Sequence, residues 1–187
     1  MQSKRNTFFL LSGIVLVAAL SRLIPHPMNM APLGAMALFG AAYFRKPQYA
    51  LGAVIAAWWI SDLVLNNLVY PTQGTLVWFT EGALFIYLSI VAIYAFGKLV
   101  FRNKVDFKRV IVGSLGASVI FFILSNFGVW LSGTLYPPTI EGLTACYTMA
   151  LPFFKNTLVG DLVYSGLLFT GYAWLLSKNL ITQKVSS

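Results

Sequence analysis

Charge is scarce in this sequence, and acidic charge scarcer still. Of 187 residues, 10% are charged, with 13 Lys and Arg against 5 Asp and Glu. A soluble domain is about 25% charged and needs that charge at its surface to stay dissolved, so a soluble globular fold is excluded. There is one cysteine, Cys146, which excludes a disulfide scaffold and assigns no redox compartment. There is one histidine, His26, which alone cannot build a zinc site of three or four protein ligands. No short period occurs, which excludes collagen-like and low-complexity chains. Enzyme signatures are missing as well. The chain has no H-E-x-x-H, no phosphate-cradling glycine loop and no paired glutamates, and Leu131-Ser132-Gly133 lacks the glycine of a nucleophile turn. These absences point away from an enzyme.

What is present is apolar. Hydrophobic residues make up 58% of the chain and the mean hydropathy is +0.77, which excludes disorder and predicts an all-α polytopic membrane protein, a single bundle in a lipid bilayer. The net charge of +8 would suggest nucleic acid in a soluble domain. Here the basic residues fall between apolar runs, as membrane topology requires, and no nucleic-acid partner is expected.

Six apolar runs are predicted to span, at about 7–23, 31–44, 49–69, 76–96, 110–131 and 156–176. Crossing about 30 Å of hydrocarbon takes roughly 20 apolar residues. The second run would cover only about 21 Å as a helix, so it starts earlier, at Pro27, or is re-entrant. The first run also reads as a signal peptide, with Lys4 and Arg5 before it and Ala18 and Ala19 near its end; cleavage would leave five spans with poorer charge placement. With six spans and the N-terminus in the cytoplasm, Lys4, Arg5, Arg45, Lys46, Lys98, Arg102, Lys104, Lys108, Arg109, Lys178 and Lys184 all fall inside, and only Arg22 and Lys155 outside. Such a bias sets orientation, so both termini are expected inside. Small residues such as Ala37/Ala41 and Ala53/Ala57 share helix faces and allow close packing, within the bundle or against another subunit.

Polar residues in hydrocarbon cost a few kcal/mol each and need a reason. In this topology Arg22, Asp62, Glu81, Asn126 and Asp161 lie in the outer half of the bundle, over an apolar inner half. One reading pairs them as an ion-pair clasp, Arg22 or Lys155 with Asp62, Glu81 or Asp161. The other has them line an outward-facing pocket, with Arg22, His26, Asn29, Asp62, Asn126, Trp130, Tyr147, Lys155, Asn156 and Asp161 as its candidate residues. Arg22 and Lys155 would meet anionic or carbonyl groups, and Trp130 and Tyr147 would stack. The apolar inner half rules out a continuous pore. The connection after the first span carries Pro25, Pro27 and Pro32, which fix its backbone. The 24 residues of 132–155 form a loop long enough to act as a lid, with a short helix from Thr139 to Ala150 ended by Pro152. Thr139 would cap it, with Glu141 in its first turn. His26 is a loop residue, a proton switch or a ligand to a metal held within a cofactor; Cys146 is packing or, less simply, such a ligand. No metal or cofactor of the protein's own is expected. Ser61-Asp62-Leu63-Val64 and Gly160-Asp161-Leu162-Val163 echo each other in spans of opposite direction, a match short enough for chance.

Arg22-Leu23-Ile24-Pro25-His26-Pro27-x-Asn29 and Pro32-Leu33-Gly34-Ala35-x-Ala37-Leu38-Phe39-Gly40 resemble an uncharacterised family of small bacterial integral membrane proteins. So do Ser125-Asn126-Phe127-Gly128-Val129-Trp130, Tyr136-Pro137, and the stretch from Gly142 through Cys146-Tyr147 to Gly160-Asp161. That resemblance implies a fold and the bacterial inner membrane, with no activity attached. More distantly the chain is similar to the S components of energy-coupling-factor vitamin transporters, six-helix proteins with both termini inside that capture a ligand near the outer face. This implies uptake of a vitamin-like small molecule, cobalamin among the candidates through His26 and Cys146, with a transport ATPase module as partner. Two departures stand out. The first span has no small-xxx-small docking motif, and the region that carries a cysteine in cobalamin-binding relatives offers Thr72, Gln73 and Thr75. The alternative function is a structural or assembly subunit whose outer polar cluster is only a clasp.

Overall fold

A computed structural model describes residues 2–71 and 74–178; Thr72, Gln73 and Lys184 lie outside the described residues. The described residues are all-helical. Six α-helices run in order: α1 Gln2–Leu20, α2 Leu33–Tyr43, α3 Pro47–Val64, α4 Ala83–Val100, α5 Phe107–Ser132 and α6 Ile140–Ser177. A 3₁₀ turn, Ser21–Leu23, extends α1, and a π-helical turn, Leu65–Val69, extends α3. Among the described residues, five helices are long and apolar enough to cross a membrane, and α2 is the exception, so the chain reads as a membrane protein.

With 11 residues, α2 covers about 16 Å, half of the hydrocarbon thickness. The segment before it, with Pro25, Pro27 and Pro32, is irregular, and proline's missing amide and fixed φ keep it so. Every residue from Leu33 to Ala41 is buried. A helix apolar all round belongs in the centre of a bundle, and α2 packs against all five other helices. Its small residues face inward: Ala37 and Ala41 are 0% and 1% exposed, and a Cβ on Gly97 of α4 would press on Ala41 at 2.8 Å.

The bundle has two unlike ends. At one, Phe8 of α1 meets Phe44 and Tyr49, Tyr43 meets Tyr172 near the end of α6 at 4.4 Å between ring centroids, and Phe101 after α4 meets Phe169. The start of α1 and the end of α6 therefore share this end. Lys98 donates there to the Ala41 carbonyl at 3.3 Å, at the C-terminal end of α2, where a cation is favourable. Asp106 caps α5, accepting from the Arg109 amide at 2.9 Å and pairing with Lys104 at 3.0 Å. The Arg109 amide, and then Lys104, hold its carboxyl below the ordinary 3.8. A carboxyl lowered on folding adds stability that is full above the unfolded value and fades as pH falls through the folded one. Asp106→Asn should therefore be slightly less stable than wild type at neutral pH, and the gap should close in melts run below pH 3.8.

Two boundaries differ from the sequence reading. The fourth helix begins at Ala83, not at residue 76. Leu76 to Phe79 extend the apolar run, but Gly82 stands in the left-handed region and breaks it, while Asn67 holds Val77 from both sides, donating to its carbonyl at 2.9 Å and accepting from its amide at 2.8 Å. Glu81 consequently sits exposed in a turn, accepting from Thr134 at 3.3 Å, rather than one and a half turns inside a span. Pro152 does not end a helix either: α6 runs through it for 38 residues. Proline removes the amide that would bond the Thr148 carbonyl, but helices in a bilayer tolerate that loss where neighbours compensate. Thr139 caps α6 as expected, accepting from the Gly142 amide at 3.1 Å.

Candidate functional site

The connection between α1 and α2 is tied down at each end by a buried carboxylate, and a cavity of about 530 Å³ opens beneath it. At its first end stands Arg22. Its Nη1 donates to Asp62 Oδ1 and Ser61 Oγ, each at 2.7 Å. Asp62 is 5% exposed, and its other oxygen accepts from Thr80 at 3.1 Å, which in turn accepts from Asn66 at 2.9 Å. The guanidinium carbon lies 3.6 Å from the centre of the Trp58 ring, close enough for a cation–π contact. Arg22 is thus held by two hydrogen bonds and a ring contact.

At the second end stands Asp161. It is 2% exposed, 16 residues before the end of α6, or about 24 Å from it. Its Oδ2 accepts from Ser118 Oγ of α5 at 2.6 Å, and the amides of Gly34 and Ala35 donate to the same carboxylate. These are first-turn amides of α2, which no carbonyl of the helix can reach. Buried donors need a partner, and α6 supplies a carboxylate as a cap from outside the helix, on the side where the helix dipole favours an anion. The approach is close: a Cβ on Gly34 would overlap the Asp161 carboxyl group. One position earlier on α6, Gly160 lets the connection in, since a Cβ there would stand 3.2 Å from Met30 Cα. Asn156 holds the middle of the connection, donating to the Met28 carbonyl at 2.9 Å.

The cavity wall comprises both sides of this arrangement. Arg22, His26 and Asn29 line it from the connection, Trp58 from α3, Tyr70 from just after the extension of α3, and Gly34, Thr157 and Asp161 from the deep side. Ile86 of α4 and Phe121 of α5 make part of its wall apolar. Asn29 adopts a positive φ of 62°, which asparagine tolerates better than most side chains. His26 is exposed, with Nδ1 2.7 Å from the Ile24 carbonyl; in the tautomer that donates there, Nε2 is an acceptor.

Of the residues expected at a pocket, Arg22, His26, Asn29 and Asp161 come together at this cavity, Asp62 holds Arg22 from behind, and Asn156 holds the connection. The others lie elsewhere. Asn126 donates to the Phe122 carbonyl of its own helix at 2.8 Å. Trp130 donates to the carbonyls of Pro137 and Thr139, Tyr147 to that of Ile123, and Lys155 is exposed. Cys146 is buried against α5, its thiol 3.4 Å from the Asn126 carbonyl, and does not line the cavity that His26 lines. Among the described residues, no three His, Cys, Asp or Glu side chains gather as they would to hold a metal ion. Sequence reasoning missed Trp58, Ser118 and Thr157: the first is hidden in an apolar run, and helical hydroxyls bond so readily to the preceding turn that they attract no notice.

Residues 2–184 match a family of unknown function, DUF6580. The chain belongs to that family. The match takes in every residue of the cavity and both tethers of the connection. No curated protein and no solved structure matches the chain.

Proposed function

We propose that the protein captures a vitamin-like small molecule from outside a bacterial cell and passes it inward. It would do so as a bundle of the S-component type in the cytoplasmic membrane, with both termini inside. The observation that carries this reading is the cavity of about 530 Å³ roofed by the first connection and walled by a fixed guanidinium, aromatic rings and the start of a half-length helix. Ligand pockets are typically about 300–1,000 Å³, mostly apolar, with a few fixed polar groups. In transporters, sites of this kind sit near the membrane midplane where a helix is interrupted. The size favours a compact ligand over a corrinoid, which is too large to be enclosed here. Orientation follows from charge: Arg45, Lys46, Lys98, Arg102, Lys104, Lys108, Arg109 and Lys178 all sit at or beyond helix ends away from the cavity, and the basic end faces the cytoplasm. Movement of ligand past the apolar inner half requires the bundle to rearrange, and a transport ATPase module is the natural partner for that work. The role is binding and transport rather than enzymatic.

The test uses the whole purified chain in mild detergent, examined for a co-purified ligand by mass spectrometry and for a thermal shift against a vitamin panel. A true ligand at a hundred times its Kd adds about 2.7 kcal/mol of stability, an upward shift of several degrees. A preparation with no retained ligand and no shift across the panel overturns the reading.

A second reading has one observation in its favour. The Arg22–Asp62 pair, 2.7 Å apart with side chains 14% and 6% exposed, is by itself a clasp closing the end of a structural or assembly subunit. The double substitution argued in the Discussion separates the two.

A further inference from the structure

We infer that the cavity takes a monocarboxylate with a compact apolar body, and that the unbonded edge of Arg22 recognises its carboxylate. This rests on the capture reading above and names the chemistry of its ligand.

A guanidinium carries five N–H donors in a rigid planar fork. In Arg22 both bonds, to Ser61 and Asp62, leave from Nη1. Nε and Nη2 bond no protein atom among the described residues, yet they are not orphaned in the interior, where the unpartnered side-chain atoms are Ser12 Oγ, Trp58 Nε1, Tyr94 Oη and Ser165 Oγ. The residue lines the cavity. Nε and Nη2 together form the side edge of the fork, whose two parallel hydrogens match the two oxygens of a carboxylate. The group is already held in place, because Trp58 packs against it at 3.6 Å, Asp62 holds its Nη1, and Thr80 holds Asp62. A ligand that meets it loses little in ordering the site.

The opposite charge is poorly served. Asp161, the acid in the wall, is engaged by Ser118 and by the α2 amides, and Asp62 by Arg22 and Thr80. An ammonium entering the cavity finds no free carboxylate among the described residues. A second anionic group is poorly served too: among the described residues Arg22 is the one Lys or Arg in the wall, and Lys155 lies outside it, exposed. One fork, a partly apolar wall and a volume of about 530 Å³ together describe a single carboxylate on a small hydrophobic frame. Such a molecule can reach the site from water or, as a fatty acid, from the bilayer.

The probes are 3-phenylpropanoate, its primary amide, 3-phenylpropylamine and oleate, titrated by calorimetry into the whole chain in neutral detergent. The acid is expected to bind roughly tenfold or more tightly than the amide, with the amine weakest. Arg22→Lys keeps a cation opposite Asp62 but has no fork, and is expected to melt near wild type while losing the preference for acid over amide. Binding of oleate without the short acid supports the carboxylate and assigns its source to the membrane. Amide or amine binding as tightly as the acid overturns this inference and leaves the capture reading standing, as does an Arg22→Lys protein that keeps the preference. The comparison of probes on wild-type protein decides the matter even if that variant does not fold. No binding by any probe, with no ligand found in the vitamin panel, removes both.

Discussion

Asp161→Ala is expected to destabilise the bundle by about 2–6 kcal/mol, a large part of the 5–15 kcal/mol by which a domain is ordinarily stable. The cost arises at α2 rather than at α6. The amides of Gly34 and Ala35 lose the carboxylate that caps them, at a site where the residue is 2% exposed. Each orphaned buried donor costs about 1–3 kcal/mol. Ser118 adds less, because its hydroxyl already lies 3.1 Å from the Ser114 carbonyl and can turn to it fully. Asp161→Asn keeps the volume and one acceptor oxygen and should cost about 1–2 kcal/mol. Gly34→Ala should be damaging in the wild-type background, because its Cβ would overlap the Asp161 carboxyl group. In the Asp161→Ala background that overlap is gone, so the two substitutions should be less than additive. Thermal melts of the four proteins in detergent check this. An alanine variant as stable as the asparagine one would show that α2 needs no cap from α6.

The same residue shows how far the sequence could be read. A carboxylate in an apolar run is legible from its cost alone, so Asp62 and Asp161 stand out, and Arg22 and His26 stand out beside three prolines. The converse inference does not hold. Asn126 is polar too and has a similar place in its predicted span, but an asparagine in a helix can satisfy itself on the carbonyl four residues back, as it does at Phe122. Trp130 and Tyr147 likewise bond backbone within the α5–α6 corner. Polarity within a span therefore marks a partner, not a pocket, and what separates the two is a contact distant in sequence: Asp161 finds Ser118 43 positions away and Asn156 finds Met28 128 positions away. The fold shows the same division. Length and apolarity locate α1, α3 and α5 to within a few residues. Leu76 to Phe79 read as helix because their hydropathy is right, and only the pairing of Asn67 with Val77 keeps them out of it. The echo between Ser61-Asp62 and Gly160-Asp161 has a counterpart in space, since each carboxylate secures one end of the connection that roofs the cavity.

Arg22→Ala should cost about 3–5 kcal/mol, because it leaves Asp62 buried without its cation. Asp62→Ala should cost less, since Arg22 retains 14% of its side-chain surface and can turn toward the cavity. Replacing both at once, with Arg22→Met and Asp62→Leu, removes the charges and keeps similar volumes, a change that is often neutral or stabilising for a buried pair. The neighbouring hydroxyls do not then stand alone: Ser61 still donates to the Trp58 carbonyl at 2.7 Å and Thr80 still accepts from Asn66 at 2.9 Å. The double variant should therefore accumulate in the membrane and melt near wild type, well above Arg22→Ala. It is also the protein in which the two functional readings part. A clasp replaced by apolar contact still closes the bundle, so a structural subunit keeps its role. A capture protein loses the guanidinium that fixes its ligand, and should show normal abundance with no ligand-dependent rise in Tm. If the double variant is as unstable as Arg22→Ala, the pair is not acting as a unit, and if it retains full ligand stabilisation, Arg22 is no part of the binding site.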